Sequence, residues 1–304
     1  MKLSRVLLVT KRSAYETYEE DDRVGNRVLS RAKRSTVKGL LASHNEHYKT
    51  LNFVEKVLDG LDLAVTRIPR DESFDDDDYD LVLAVGGDGT FISASHHLRS
   101  VPVLGVNSDP RGSVGFFCSA TRGTVARDLE KIRRDSFPCL SLSRLQVKIG
   151  GVPVPVLALN DVLYAHEQPA AMTRYEIRLP GARQAQKSSG VWVAAPAGSG
   201  AAVGSAGGRK IPLDSKKFQF VVRELYRNNQ HHDPIRKGIL GAKDTLQIES
   251  HISPGKIFID GQHVSYAVPF GSMLRFRLSP YPLRVFGLRS PVRRRTKKKP
   301  PSRR

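Results

Sequence analysis

One carboxylate set among glycines raises the chemical question in this chain. The stretch LVLAVGGDGTF at 81–91 runs an apolar segment into Gly86, Gly87, Asp88, Gly89 and Thr90. Glycines let backbone amides approach phosphate oxygens with no side chain between them, and a helix beginning at such a turn adds unpaired N–H groups and a positive dipole end. A carboxylate there repels phosphates unless it positions their metal ion or takes a proton from a hydroxyl nucleophile. No Gly-Lys-Ser/Thr follows, so the turn is not a Walker A loop. By themselves these five residues also fit a tight turn with a capping Asp, and the surrounding elements have to decide.

Runs of Val, Leu and Ile at 4–9, 62–68, 80–85 and 102–106 predict strands. In HYKTLNFVEKVLDGL, Tyr48, Leu51, Phe53, Val54, Val57 and Leu58 recur at helical steps before Gly60; TVARDLEKI predicts a second helix, and a third starts near Thr90. Unbroken apolar strands alternating with helices imply a Rossmann-like parallel sheet with helices on both faces. The glycine turn then lies at the carboxyl end of a strand, where such sheets bind ligands. From about Ser141 the period changes to two, with hairpin signals at Gly150-Gly151 and Asp260-Gly261. The fold class is therefore α/β plus mostly-β: an N-terminal α/β domain at 1–140 with a polar insertion at 13–45, then an antiparallel β-rich domain at 141–288. The insertion reads equally as helical or mobile.

The net charge of +19 resembles that of a nucleic-acid-binding protein until it is located. Nine basic residues fall in the last sixteen positions, RSPVRRRTKKKPPSRR, which leaves +10 elsewhere. This tail, 289–304, has no acid and no periodicity and reads as disordered, binding polyanions nonspecifically. The remaining charge suits ligands that carry several phosphates. No apolar run is long enough for a membrane span, and the N-terminal apolar segment is too short for a signal peptide. Cys118 and Cys139 form no framework, which points to a reducing cytoplasm and to two small core residues. ESFDDDDYD at 72–80 reads as a solvated loop, and His44, His47, His96, His97, His231 and His232 as surface or satisfied histidines, none at zinc spacing.

The glycine turn has company. GGDGT resembles a signature shared by NAD kinases and by lipid kinases such as diacylglycerol and sphingosine kinases. VPVLGVNSDPRGSVGFFCSA, ALNDVLYA and SSGVWVAAPAGSGAAVGSAGG are similar to three further NAD kinase motifs, in the family's order. The wording of PVLGVNSDP and ALNDVLYAHEQPAAMTRYEI looks like the plant-type NADH kinase branch. The resemblance covers most of 80–288 and leaves 13–45 and the tail outside.

That likeness implies a role for each motif. Asp88 is the general base or metal-positioning carboxylate for the adenosine 2'-hydroxyl of NAD or NADH. Gly86, Gly87, Gly89 and Thr90 form the phosphate-facing turn, Asn107 closes the crevice from the next strand, and Phe116 lies against the adenine. Asn160 and Asp161 hold ribose hydroxyls, which requires a bend, since neighbours in a regular strand point to opposite faces. Gly198, Ser199, Gly200 and Ala201 form a small-residue wall. Two departures stand out: Ser188-Ser189-Gly190 replaces the family's Gly-Asp-Gly, and Gly200-Ala201-Ala202 replaces Thr-Ala-Tyr.

The implied activity is phosphorylation of NAD(H) to NADP(H) with ATP and magnesium, the metal held through phosphates and by Asp88. Inorganic polyphosphate is an alternative donor, and a homodimer or homotetramer joined through the strand-rich half is expected. The alternatives are a lipid kinase sharing GGDGT and a noncatalytic dinucleotide sensor or basic nucleic-acid-binding protein.

Overall fold

The computed structural model describes residues 3–226 and 234–289. His231, His232 and the tail from Ser290 onward lie outside them. The first half contains β1 (Arg5–Thr10), α1 (Ala14–Arg23), α2 (Val28–Arg31), α3 (Arg34–Asp59), β2 (Ala64–Pro69), β3 (Leu81–Gly86), α4 (Asp88–His97), β4 (Val103–Asn107), β5 (Ala120–Thr121), α5 (Val125–Arg133) and β6 (Cys139–Leu142). The second half contains β7 (Leu145–Ile149), β8 (Val152–Pro153), β9 (Asp161–His166), β10 (Thr173–Leu179), β11 (Ala182–Ser188) and β12 (Val191–Ala194). A 3-10 turn (Ala197–Gly200) and α6 (Ala202–Ser205) come next, then β13 (Phe218–Val222), β14 (Lys237–Leu240), β15 (Leu246–Ser250), β16 (Gly255–Ile259), β17 (Val264–Val268), β18 (Met273–Leu278) and β19 (Leu283–Phe286).

The first sheet has the order β2-β1-β3-β4-β19-β6, with β5 beside β4. Strands β1 to β4 pair in parallel. Strand β3 is buried throughout because both faces are covered. Leu81, Leu83 and Val85 meet Leu51, Val54 and Leu58 of α3 and Leu129 of α5, while Val82 and Ala84 meet Phe91 and Ala94 of α4.

Two antiparallel six-stranded sheets, β11-β10-β15-β18-β7-β8 and β14-β13-β12-β9-β16-β17, enclose a separate core. Alternate residues such as Tyr164, Tyr175, Val193, Phe220, Ile248 and Phe276 fill it. At Gly150-Gly151 the turn residues have φ of 57° and 95°, the left-handed values that a tight hairpin needs.

Several elements depart from the sequence reading. The 13–45 insertion is helical: Ser13 and Glu16 form a capping box on α1, and α3 extends back to Arg34. Helix α4 starts at Asp88 rather than near Thr90, since a carboxylate suits the first turn. Strand β19, placed by sequence in the β-rich half, inserts into the first sheet between β4 and β6. Cys118 is half-buried and Cys139 exposed, so they are not two core residues.

Within the 72–80 segment Asp76 is buried and not solvated. Its Oδ2 accepts the amides of Arg99, Ser100 and Val101, which fastens the segment after α4. Arg144, fully buried, donates to the carbonyls of Ser95 and Tyr281, and burial pushes its pKa down to about 9. Asp76→Ala is expected to lower the unfolding free energy by about 3 kcal/mol, measured in urea at neutral pH, because three amides lose a charged acceptor. A change near zero would show that water replaces the carboxylate without loss.

Candidate active site

Asp88 stands at the carboxyl edge of the first sheet, where β3 ends and α4 begins. Its Oδ2 accepts the amide of Phe116 at 2.9 Å and its Oδ1 that of Phe117 at 2.8 Å. Two donors fix the carboxylate plane while each oxygen keeps a further lone pair. The adjacent aromatics part company: Phe117 is buried and stacks on Phe91, whereas Phe116 is 50% exposed. A flat hydrophobic ring therefore lies open beside the carboxylate.

The glycines around it have separate reasons. A Cβ at Gly86 would lie 2.2 Å from Thr90 Oγ1, so only glycine lets α4 turn back over the strand. Thr90 is correspondingly buried, and its hydroxyl packs on Gly86 with no hydrogen-bond partner. Gly89 faces outward, with Arg70 Nη1 as its neighbour. Asn107 pairs with Gly86 across β3 and β4. Its amide donates to Ser113 O and its Oδ1 accepts Asp109 N, which shapes the loop leading to Phe116. Helix α3 buttresses the same loop: Ser43 donates to Asp109, Thr50 to Ser108 O, and His47 Nδ1 meets Ser108 Oγ.

Two cations at this edge escaped the sequence reading. Lys11 follows β1 and Arg70 follows β2, so the parallel pairing of those strands brings both to the glycine turn. Burial and the nearby Arg70 guanidinium lower the Lys11 pKa, with Asp109 acting in the opposite sense. Burial and the Lys11 charge hold His47 down to about 4, so it is neutral at pH 7. Nothing in LVTKRS or IPRDES marks these cations; only strand order does.

The second group of residues gathers around Asp260, which sequence suggests only as a hairpin turn. Its side chain is fully buried. Oδ1 accepts the amides of Asn160 and Asp161, while Oδ2 accepts Leu159 N and His96 Nε2 at 2.8 and 2.9 Å. These contacts bend the chain where it enters β9. Asn160 Oδ1 is buried with no partner, an acceptor that calls for a donor. Burial, then the Asp260 charge, raises the Asp161 pKa to about 7.

Gly198 packs so closely that a Cβ there would sit 2.1 Å from Asn160 O. The Ser199 hydroxyl donates to Pro196 O and accepts Ile211 N, so it shapes the backbone and has no free donor. Ala201 is exposed beyond it. Ser188 is likewise internal, tied to Tyr175 and Gly190. The two groups are joined by α4, which begins with Asp88 and ends with His96 and His97.

Among the described residues the carboxylate group at metal-holding distances is Asp75, Asp76 and Asp77, beyond the other end of α4 from Asp88. Asp76 is already occupied by three amides there, so this cluster is not part of the crevice. Asp88 offers a single carboxylate with free lone pairs, which fits magnesium held mainly through phosphates.

A raised folded pKa means that the native state binds the extra proton between about pH 4 and 7, and stability falls across that window as pH rises. Asp161→Asn is expected to raise the unfolding free energy by up to about 4 kcal/mol at pH 8 and to change it little at pH 4. Equal effects in urea melts at both pH values would show that the carboxyl titrates normally.

Residues 3–137 match the ATP-NAD kinase N-terminal domain. The chain is 34% identical over 251 residues to the probable NADH kinase of Oryza sativa subsp. japonica, covering 75% of this chain and 77% of that protein. It is 30% identical over 272 residues to the NADH kinase of Arabidopsis thaliana, covering 79% and 83%. An NAD kinase from Archaeoglobus fulgidus solved in complex with ATP shares the fold with a TM-score of 0.65 at 19% identity, over 93% of both chains. Yeast NADH kinase complexed with NADH gives 0.64 at 16%, over 95% of this chain and 85% of that one. With the clamped Asp88, the open Phe116 and the bent Asn160-Asp161 pair in the motif order that the sequence shows, the chain belongs to the NAD kinase family.

Proposed function

We propose that this protein transfers the terminal phosphoryl group of ATP to the adenosine 2'-hydroxyl of NAD or NADH, giving NADP or NADPH and ADP. The observation that carries the reading is the Asp88 carboxylate, oriented by two amides within a glycine turn and beside an exposed ring. Phe116 takes the adenine face, a contact suited to a flat base. Asn160 Oδ1 accepts a ribose hydroxyl, and Asp161 receives its neighbour. Asp88 then accepts the 2'-hydroxyl proton as that oxygen forms its bond to phosphorus and the bond to ADP breaks.

Lys11 and Arg70, with the amides at the start of α4, bind the phosphate chain. Asp88 and the phosphates would hold magnesium, which would supply further neutralisation of the phosphate charge. The same cations suit inorganic polyphosphate as donor. Similarity to two plant NADH kinases supports NADH as the favoured acceptor.

A homodimer or homotetramer is supported by the outer face of the third sheet. There Leu163, Trp192 and Phe258 line a cavity of about 330 Å³ with Ser189 and Arg223. No helix among the described residues is long and apolar enough to cross a membrane. Free Cys118 and Cys139 suit the reducing cytoplasm.

The test is NADP(H) formation from NAD and from NADH with ATP and magnesium. Asp88→Asn should lower kcat by roughly 10²–10⁴ while the protein stays folded. Arg70→Ala should raise the KM for ATP by about tenfold, the loss of one charged contact. Full turnover in Asp88→Asn would remove the proton-accepting role, and no turnover of either dinucleotide in the parent would overturn the assignment.

A further inference from the structure

Like charges face one another in register on the solvent side of the second sheet. Arg174 lies opposite Lys187 and Arg178 opposite Arg183 across β10 and β11. Arg275 lies opposite Lys148 across β18 and β7. Directly opposed like charges weaken a sheet, so three such pairs on one face work against folding and point to an external anion.

The acids of this face answer only Arg178. Glu176 and Glu249 also oppose each other, and Arg178 bridges both. Among the described residues no carboxylate lies within ion-pair distance of Arg174, Arg183, Lys187, Arg275, Arg277 or Lys148. All but Lys148 of these six are exposed.

We propose that this face binds the phosphodiester backbone of a nucleic-acid duplex, as a function separate from the kinase reaction. From β11 to β7 the charged rows cross four strand spacings, roughly 19 Å. That distance bridges a groove of about 12 Å, so cations at the two ends reach phosphates on both strands. The outward positions of β7, β10, β11, β15 and β18 carry no aromatic side chain, and Ala185 and Met273 are their apolar members. Single strands are held by rows of stacking platforms, and membrane surfaces by bulky apolar anchors; among the described residues the one ring bordering these strands through a cation contact, Tyr226, is covered by Lys187 and forms no such row. Phosphate contacts without base contacts give salt-dependent, sequence-independent binding.

The experiment is fluorescence anisotropy of labelled duplexes of about 20 base pairs, DNA and RNA in separate arms, with the full chain over a salt series. The parent is compared with a triple variant, Arg174→Gln, Arg183→Gln and Arg275→Gln. Loss of three phosphate contacts should reduce the slope of log K against log salt by about 2.7 on DNA and weaken binding roughly tenfold or more near physiological salt. NADP(H) formation should be unchanged, and Tm without nucleic acid should equal or exceed the parent's because repulsion is relieved. An unchanged slope would assign any binding to the 289–304 tail and overturn the proposal. Retention on phosphatidylserine vesicles without duplex binding would overturn it in favour of a membrane surface, and a lowered Tm would overturn its premise of repulsion.

Discussion

The Asp260 carboxylate holds the two halves of this protein in the relation that its chemistry requires. It is fully buried, and its acceptors are filled by three consecutive amides of the β9 approach and by His96 of α4. A buried carboxylate is costly unless it is hydrogen-bonded, so its partners are constrained as tightly as it is. One set of contacts thereby bends the chain at Asn160 and anchors that bend to the helix that Asp88 begins. Loss of Asp260 would release both the bend at Asn160-Asp161 and the far end of α4.

Like charges stand close together on both sides of the crevice, each with a partial counterweight: Asp109 and Asp71 for the cations, His96 for the carboxylates. Lys11 and Arg70 face each other at the sheet edge, and Asp161 faces Asp260 within the bend. Each pair is unfavourable alone, and in the proposed reaction the cations would meet phosphates and the Asp161 carboxyl would meet ribose hydroxyls. Preorganised polar groups of this kind act at the moment of reaction without a further reorganisation cost.

How much of this could be read in advance depends on the range of the interactions. The GGDGT turn, the four parallel strands and the change of period near Ser141 are local patterns and were legible, whereas which of Phe116 and Phe117 faces outward was not. Asp260 was visible only as a turn residue, because its partners lie about a hundred positions away and His96 still farther. Lys11 and Arg70 become neighbours through strand order alone. The acidic run at 72–80 looked uniformly solvated, yet Asp76 differs from its neighbours because the amides of Arg99, Ser100 and Val101, just past α4, turn onto it. In the 13–45 insertion only short-range cues were available, and its helices are settled by packing: Tyr48 of α3 donates to Glu16 of α1 at 2.6 Å.

Strand β19 has a consequence for biosynthesis. The central sheet, which bears Asp88 and Asn107, is completed by a strand from the far end of the described chain, where Val285 pairs with Val103. A ribosome delivers β1 to β4 first, and the β4 edge then waits through the emergence of both antiparallel sheets. Exposed strand edges invite wrong pairing, and late closure by a distant segment slows folding. Truncation before Leu283 would therefore strike the sheet that carries Asp88, because it removes the strand that lies between β4 and β6.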